Sequence, residues 1–278
     1  MSFKIVVDSC CEVPDEYRED PRFEFVPLTI EIGEFDIVDD KSFDQKSFLK
    51  LVAESPTGPK SSCPSPERYI EAYSADVDDI YVITLSSKLS GSHNSAVLGK
   101  QMYLEKYGEK NIHVCDSEAA VCGEGVVALK ALELAEQGLP FAEVVEKLEA
   151  YRDVKNTYFV LDNLETLRKA GRLKGVKSLV ASTLSIKPVM SALKGEIIQK
   201  GQAIGIKKAL AKMVDIAIAE RPDTDATRLL IAHCNNLERA LMVKQMFEEK
   251  ANYKEITIVV TKGISSMYAN DGGIVLGV

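Results

Sequence analysis

The chain is expected to be an α/β protein of two domains, the N-terminal one built on a mainly parallel sheet and the C-terminal one α+β on a mixed sheet. Three observations lead there. Short apolar runs alternate with helical periodicities through the first half. A polar turn rich in Ser or Asp follows several of those runs, as strand–turn–helix units require. After Tyr151 the texture changes to shorter helices and a hairpin signal, which places the boundary between residues 1–151 and 152–278.

Each element follows from local chemistry. Phe3 to Val7 is a strand that ends in Asp8-Ser9, and Pro14 marks the turn or helix start after it. Phe23 to Ile32 reads as extended, with Pro27 calling for an edge strand or a bulge because it lacks a ladder donor. Ser42 to Glu54 has helical spacing through Phe43, Phe48, Leu49 and Val52. Ser65 is a good N-cap and Pro66 fits the first helical position, so a helix over 66–73 is expected. Ile80 to Leu85 is a buried strand, followed by a helix from Ser92 to Tyr107 that Gly108 closes. The unit repeats as strand Ile112 to Cys115, turn Asp116-Ser117 and a helix from Glu118 to Gln137, then a helix from Phe141 to Tyr151.

In the second half, Thr157 to Leu161 is a strand and Asn163 to Lys169 a short helix. Ile186 to Met190 and Glu196 to Lys200 flank Ala192-Leu193-Lys194-Gly195, a hairpin signal. A helix over 206–220, a strand over 229–234, a helix over 237–249 and a strand over 256–260 complete the expected layer.

Composition narrows the function classes. A formal charge of −8 over 278 residues argues against nucleic acid as a partner, since phosphate binding needs a surplus of Lys and Arg. No run approaches the about 20 apolar residues of a membrane span, and Met-Ser-Phe-Lys-Ile-Val-Val-Asp enters a strand without an apolar leader. A soluble, cytoplasmic protein is expected. The six cysteines show no C-x-x-C and no Cys/His cluster at zinc spacing, so reduced thiols and no metal are expected. Cys10, Cys11 and Cys63 are the ones at strand ends or turns.

The candidate site rests on two serine-rich segments, Lys60-Ser61-Ser62-Cys63-Pro64-Ser65-Pro66-Glu67 and Leu85-Ser86-Ser87-Lys88-Leu89-Ser90-Gly91-Ser92. Each leads into a helix, whose first N–H groups lack intrahelical partners and carry the positive dipole end, so a small anion fits there. One cap per segment leaves hydroxyls to spare. Gly91 suits close backbone approach or a turn of positive φ. Asp8 and Asp116 are placed to act as bases or to orient the serine hydroxyls. Only three histidines are present, none in a G-x-S-x-G elbow, which leaves a nucleophilic hydrolase weakly supported. There is no phosphate loop of the G-x-x-x-x-G-K-[ST] kind. Arg168, Lys169, Arg172, Lys174 and Lys177 form the basic cluster, with Arg172, just after Gly171, singled out for an acidic or phosphate-bearing partner.

Taken together, these segments resemble the DegV family of bacterial fatty-acid-binding proteins. Ser61-Ser62-Cys63-Pro64-Ser65-Pro66-Glu67 is similar to a T-S-x-P-S-P-E turn and Ser86 to Ser92 to S-S-x-L-S-G-T. Leu164 to Arg172 is similar to L-E-x-L-x-x-G-G-R, with Asp8-Ser9 opening the series and Asp116-Ser117 preceding this last element. The resemblance implies one long-chain fatty acid held between the two domains and no other cofactor. It implies a carboxylate on Ser61 or Ser62 with Ser90, Gly91 and Ser92, Asn270 and Arg172 helping at the mouth, and presentation of the acid to a separate fatty acid kinase. Transient membrane contact is compatible with such a carrier, insertion is not. Departures from the pattern are Ser61 for Thr, Cys63 for Gln and Ala170 for Gly. Many members also carry T-H-x-G-P-G near the end, where counting from the C-terminus puts Asn270 in the histidine's place. Asn donates hydrogen bonds but neither carries charge nor shuttles protons. The alternative class is an enzyme, either a serine-dependent acyl hydrolase or a small-anion kinase subunit similar to the dihydroxyacetone kinase fold.

Overall fold

The computed structural model describes residues 2–173, 176, 185–221 and 223–278. The N-terminal half opens with β1 (Phe3–Asp8), α1 (Asp15–Arg18) and β2 (Phe23–Val26). It continues through β3 (Thr29–Ile32), β4 (Phe35–Val38), α2 (Gln45–Glu54), β5 (Lys60–Ser62) and α3 (Pro66–Tyr73). β6 (Asp79–Thr84), α4 (Ser92–Tyr107), β7 (Asn111–Asp116), α5 (Cys122–Glu136) and α6 (Phe141–Val154) follow. Strands β2-β1-β6-β7 form a parallel sheet in that order. Every residue of β6 is buried, as a strand covered on both faces demands.

The extended run over 23–32 is two strands in two sheets. β2 is the edge of the parallel sheet, and the chain then crosses Pro27 into β3, the centre of an antiparallel three-stranded sheet β4-β3-β5. Proline marks the exchange because no ladder needs its missing N–H. β4 and β5 carry no clear periodicity in the sequence. The first serine segment, expected as a turn, is in part the strand β5, with Ser61 opposite Ile30 and Ser62 opposite Thr29.

The C-terminal half contains β8 (Thr157–Val160), α7 (Glu165–Lys169), β9 (Ile186–Leu193), β10 (Glu196–Ile204) and α8 (Ile206–Glu220). It ends with β11 (Arg228–His233), α9 (Leu237–Glu248), β12 (Glu255–Val260), α10 (Gly263–Ala269) and β13 (Ile274–Gly277). Its sheet has the order β10-β9-β8-β13-β11-β12 and is mixed, β11 and β12 being the parallel pair. The β9–β10 hairpin turns at Lys194 and Gly195, both at positive φ (47° and 80°), the geometry a tight two-residue hairpin favours. The sequence signals neither α10 nor β13. β13 is four residues long and sits between β8 and β11, a pairing no local pattern encodes.

α5 joins the halves. It is mainly apolar, packs against β1 and β6 on one side and β11 and β13 on the other, and is buried from Cys122 to Leu129, with Lys130, Glu133 and Glu136 reaching the surface further on. It begins at Cys122 rather than at Glu118, because Glu118 and Val121 take left-handed φ values of 50° and 57° that a helix excludes. One hydrophobic cluster runs through it from Val7 and Tyr81 to Phe159 and Val275.

Candidate functional site

Between the halves lies a cavity of about 320 Å³, within the range of small-molecule pockets. Leu28, Leu85 and Val121 face it from the N-terminal half, and Phe159, Leu161 and Val275 from the C-terminal sheet. Its hydroxyls come from Ser61, Ser62, Ser90, Thr157, Ser265 and Tyr268. It adjoins a wider polar depression lined by Ser87, Lys88, Asn94, Gly171 and Glu196. Leu89, Ser90, Gly91, Arg172 and Ile197 border both spaces and form the rim between them.

The second serine segment is fixed by the ends of three parallel strands. Asp8, at the end of β1, accepts hydrogen bonds from the Leu85 N–H (2.9 Å) and the Ser92 hydroxyl (2.6 Å). Asp116, at the end of β7, accepts from the Ser87 N–H at 3.2 Å. Ser86 is held by its N–H on the Ala119 carbonyl (2.7 Å) and by its hydroxyl on the Gly195 carbonyl (2.8 Å). The turn is therefore anchored to both halves and presents Leu89, Ser90 and Gly91 to the cavity. The two aspartates orient this turn.

Of the expected site residues, Ser61, Ser62, Ser90, Gly91 and Arg172 meet around one space. Ser61 Oγ lies 3.1 Å from the Tyr268 hydroxyl, so β5 and α10 bring two hydroxyls together across 207 positions of sequence. Ser62 is exposed at the edge. Ser90 Oγ accepts from the Ser92 N–H at 3.2 Å. Gly91 has φ −75°, so its requirement is space: a Cβ there would lie 2.9 Å from Cys63 Sγ.

Ser92 and Asn270 stand outside the wall. Ser92 is fully buried behind the turn, its hydroxyl shared between Asp8 and the Tyr69 hydroxyl at 2.6 Å each. Asn270 caps α10, with its Oδ1 accepting from the Thr166 hydroxyl at 3.0 Å. The residue that sequence reasoning does not single out is Tyr268. Its signal is an aromatic with a polar tip near the C-terminus, but α10 has no legible start.

Arg172 reaches the rim through a helix ending. Gly171 at φ 73° lets the Arg172 N–H return to the Leu167 carbonyl (2.9 Å) and its own N–H to Arg168 (3.0 Å), a Schellman closure of α7. The guanidinium then donates to the Leu89 carbonyl at 3.1 Å and to the Ala170 carbonyl. Arg168 and Lys169 instead pair with Glu165. Lys174 and Lys177 fall outside the described residues.

Each histidine is engaged away from the cavity: His93 with Thr84, His113 with Glu149, His233 with the Asn236 N–H. All six cysteines are free, and burial pushes the Cys10 and Cys11 thiols well up. Cys63 is the exposed one.

Burial pushes Asp8 from 3.8 up to about 6, against the hydrogen bonds from Ser92 and Leu85 that favour its charged form. The folded protein thus holds this proton more tightly than the unfolded chain does, and the stability it contributes is lost as pH rises from about 4 to about 6. Asp8→Asn, which has no such titration, is expected to gain on the wild type by 1 kcal/mol or more, as an order of magnitude, across that window. Urea unfolding of both proteins from pH 4 to pH 7 measures it, and parallel curves would contradict it.

Fold and site together define a two-domain α/β protein that encloses a mainly apolar cavity bearing several hydroxyls. The chain belongs to the DegV family, described as "Uncharacterised protein, DegV family", which matches residues 2–277. DegV domain-containing proteins of Streptococcus gordonii and Streptococcus pneumoniae are 33% and 34% identical, each covering 100% of this chain and 99% of the relative. A DegV family protein from Ruminococcus gnavus, refined with vaccenic acid, superposes with a TM-score of 0.97 at 50% identity over 100% of both chains. The Streptococcus pneumoniae Fatty Acid Kinase (Fak) B3 protein, loaded with linoleic acid, gives 0.90 at 33% identity over 100% and 99%. A DegV family protein from Eubacterium eligens, loaded with heptadecanoic acid, gives 0.90 at 26% identity over 99% of both. Among the described residues no helix is long and apolar enough to cross a membrane.

Proposed function

We propose that this protein is a cytoplasmic, non-enzymatic carrier that holds one long-chain fatty acid and presents it to a fatty acid kinase. The observation that carries the reading is the cavity between the halves, lined mainly by carbon, bearing several hydroxyls and bordered by Arg172, in a fold whose solved relatives hold fatty acids. The tail supplies affinity: burying roughly 16 methylenes at ~0.8 kcal/mol each amounts to about 13 kcal/mol gross. The hydroxyls supply orientation, since a desolvated carboxylate needs several converging donors.

In this reading the paired Ser61 and Tyr268, with Ser62 and Ser90 and the backbone at Gly91, receive the carboxylate. Ser92 acts behind them by holding the turn, and Asn270 by closing α10. The backbone supports Tyr268 over Asn270. Asn270 and Gly272 have φ of 57° and 84°, the region glycine favours, so the two glycines of T-H-x-G-P-G fall on them and its histidine falls on Tyr268. A phenol donates to a carboxylate without bringing charge.

Arg172 on the rim faces the polar depression where a phosphoryl donor would approach, which supports kinase-coupled use. A boundary near residue 151 would divide the two halves, with α5 as their shared support. An acyl hydrolase would need a base beside a serine that faces the cavity; the three histidines are occupied elsewhere, and the serine beside Asp8 is Ser92, buried behind the turn.

The test is to extract the purified protein under denaturing conditions and analyse the lipids by mass spectrometry. A stoichiometric long-chain acid is expected, and an empty cavity with ester turnover would overturn the reading. Ser61→Ala and Tyr268→Phe are each expected to weaken retention by about tenfold, the worth of one hydrogen bond to a charged group. Unchanged retention in both would remove the head-group assignment.

A further inference from the structure

The hydroxyl of Tyr268 is delivered by α10, a helix of seven residues that is too short to hold its own geometry. Ile264, Ser265, Tyr268 and Ala269 all face the cavity, so the rotation of this helix about its axis decides which side chains the ligand meets. Two buried carboxylates from the other end of the chain bond the N–H groups at the helix start, while Gln45 Nε2 donates to the Ser266 hydroxyl (3.0 Å) and Ser265 to the Cys10 carbonyl (3.3 Å) further along. Glu12 and Asp39 are 0% and 4% exposed. Glu12 Oε1 accepts from the Lys262 N–H at 2.5 Å, while its other oxygen takes Arg18 at 2.5 Å. Asp39 spans the next two donors, Oδ1 on the Gly263 N–H at 2.8 Å and Oδ2 on the Ile264 N–H at 2.9 Å.

Both carboxylates are themselves fixed. The Asp39 N–H donates to the Leu28 carbonyl at 2.9 Å, in the strand crossing whose Leu28 side chain lines the cavity. Gly263 is the residue that admits the clamp, because a Cβ there would lie 2.5 Å from the Asp39 carboxyl carbon. Three successive N–H groups at a helix start, each answered by a buried carboxylate from over two hundred residues away, form a built support.

We propose that Glu12 and Asp39 are positioning residues for the head group: by gripping the start of α10 they hold Tyr268 against Ser61, so recognition of a carboxylate depends on two acids that never touch it. This rests on the fatty-acid reading above. An apolar tail in the same cavity makes no use of Tyr268's hydroxyl, so loss of the grip lowers affinity for the acid selectively.

The experiment compares binding of a long-chain fatty acid and its methyl ester, which share a tail, to delipidated protein. Wild type, Asp39→Ala, Asp39→Asn, Tyr268→Phe and the double variant Asp39→Ala/Tyr268→Phe are measured. Asp39→Ala is expected to weaken acid binding about tenfold with the ester unchanged, the loss of one charged hydrogen bond. Asp39→Asn, which keeps an acceptor oxygen, is expected to recover part of it. The double variant is expected to be no weaker than Tyr268→Phe alone, since both remove one interaction. Equal losses for acid and ester, or additive effects of the two substitutions, would overturn the proposal. Where Asp39→Ala fails to fold, Asp39→Asn and Gly263→Ala carry the same comparison. A wild type that binds neither ligand would overturn the fatty-acid reading itself.

Discussion

Ala192→Phe is expected to abolish retention of long-chain acids while leaving the protein folded. Ala192 lies on β9, lines the cavity and does not border the polar depression, although its cross-strand partner Ile197 does. An aromatic suits a strand, and the position is only half-buried, so the sheet tolerates the change. The ring would occupy space that a tail needs. Excluding roughly four methylenes at ~0.8 kcal/mol each removes about 3 kcal/mol, more than a hundredfold in affinity at about 1.4 kcal/mol per decade. Short acids, whose tails end before the obstruction, would keep their affinity, because the rim hydroxyls are untouched. Binding of acids of graded length to wild type and variant measures this, with circular dichroism as the check on folding. Equal loss for short and long acids would contradict a tail running past Ala192.

Gly277→Ala is expected to be among the most damaging single substitutions for folding. Gly277, in β13, packs directly on the start of α5, where an added Cβ would drive into the carbonyl group of Cys122. Backbone on both sides leaves no flexible side chain to yield. α5 cannot retreat, being wedged between two sheets, and β13 cannot move without breaking its ladders to β8 and β11. Overpacking of this kind costs about 3 kcal/mol or more, a large share of the ~5–15 kcal/mol that holds a protein folded. Gly58, around which nothing lies within 4 Å, is the control: Gly58→Ala is expected to change stability by less than about 1 kcal/mol. Denaturant melts of both variants test the contrast, and similar midpoints would refute it.

Much of the fold is legible in the sequence because its signals are local. α3, α4 and α8 begin and end where caps, proline, glycine and periodicity place them. β6 is readable as an apolar run bounded by turn residues, and the β9–β10 hairpin from Lys194-Gly195. The elements that escape are those whose reason is elsewhere in the chain. β13 gains its identity from two neighbours over forty residues away, and β5 from pairing with β3. The delayed start of α5 reflects positive φ at Glu118 and Val121, which an apolar periodicity conceals.

The site divides along the same line. The serine segments, Gly91 and Arg172 are visible because hydroxyls beyond the needs of capping, and a cation after a helix-ending glycine, stand out in one dimension. By themselves those residues show where the chain offers donors that would suit a small anion. Only the tertiary structure decided which donors face one cavity: Ser61, Ser62 and Ser90 do, while Ser92 turns inward to Asp8 and Tyr69 and Asn270 closes a helix. Tyr268 joins the site because Glu12 and Asp39 fix a short helix from afar. Hydroxyl placement depends on the rotation of whole elements, set by packing and buried hydrogen bonds between distant segments, and no local sequence pattern carries that information.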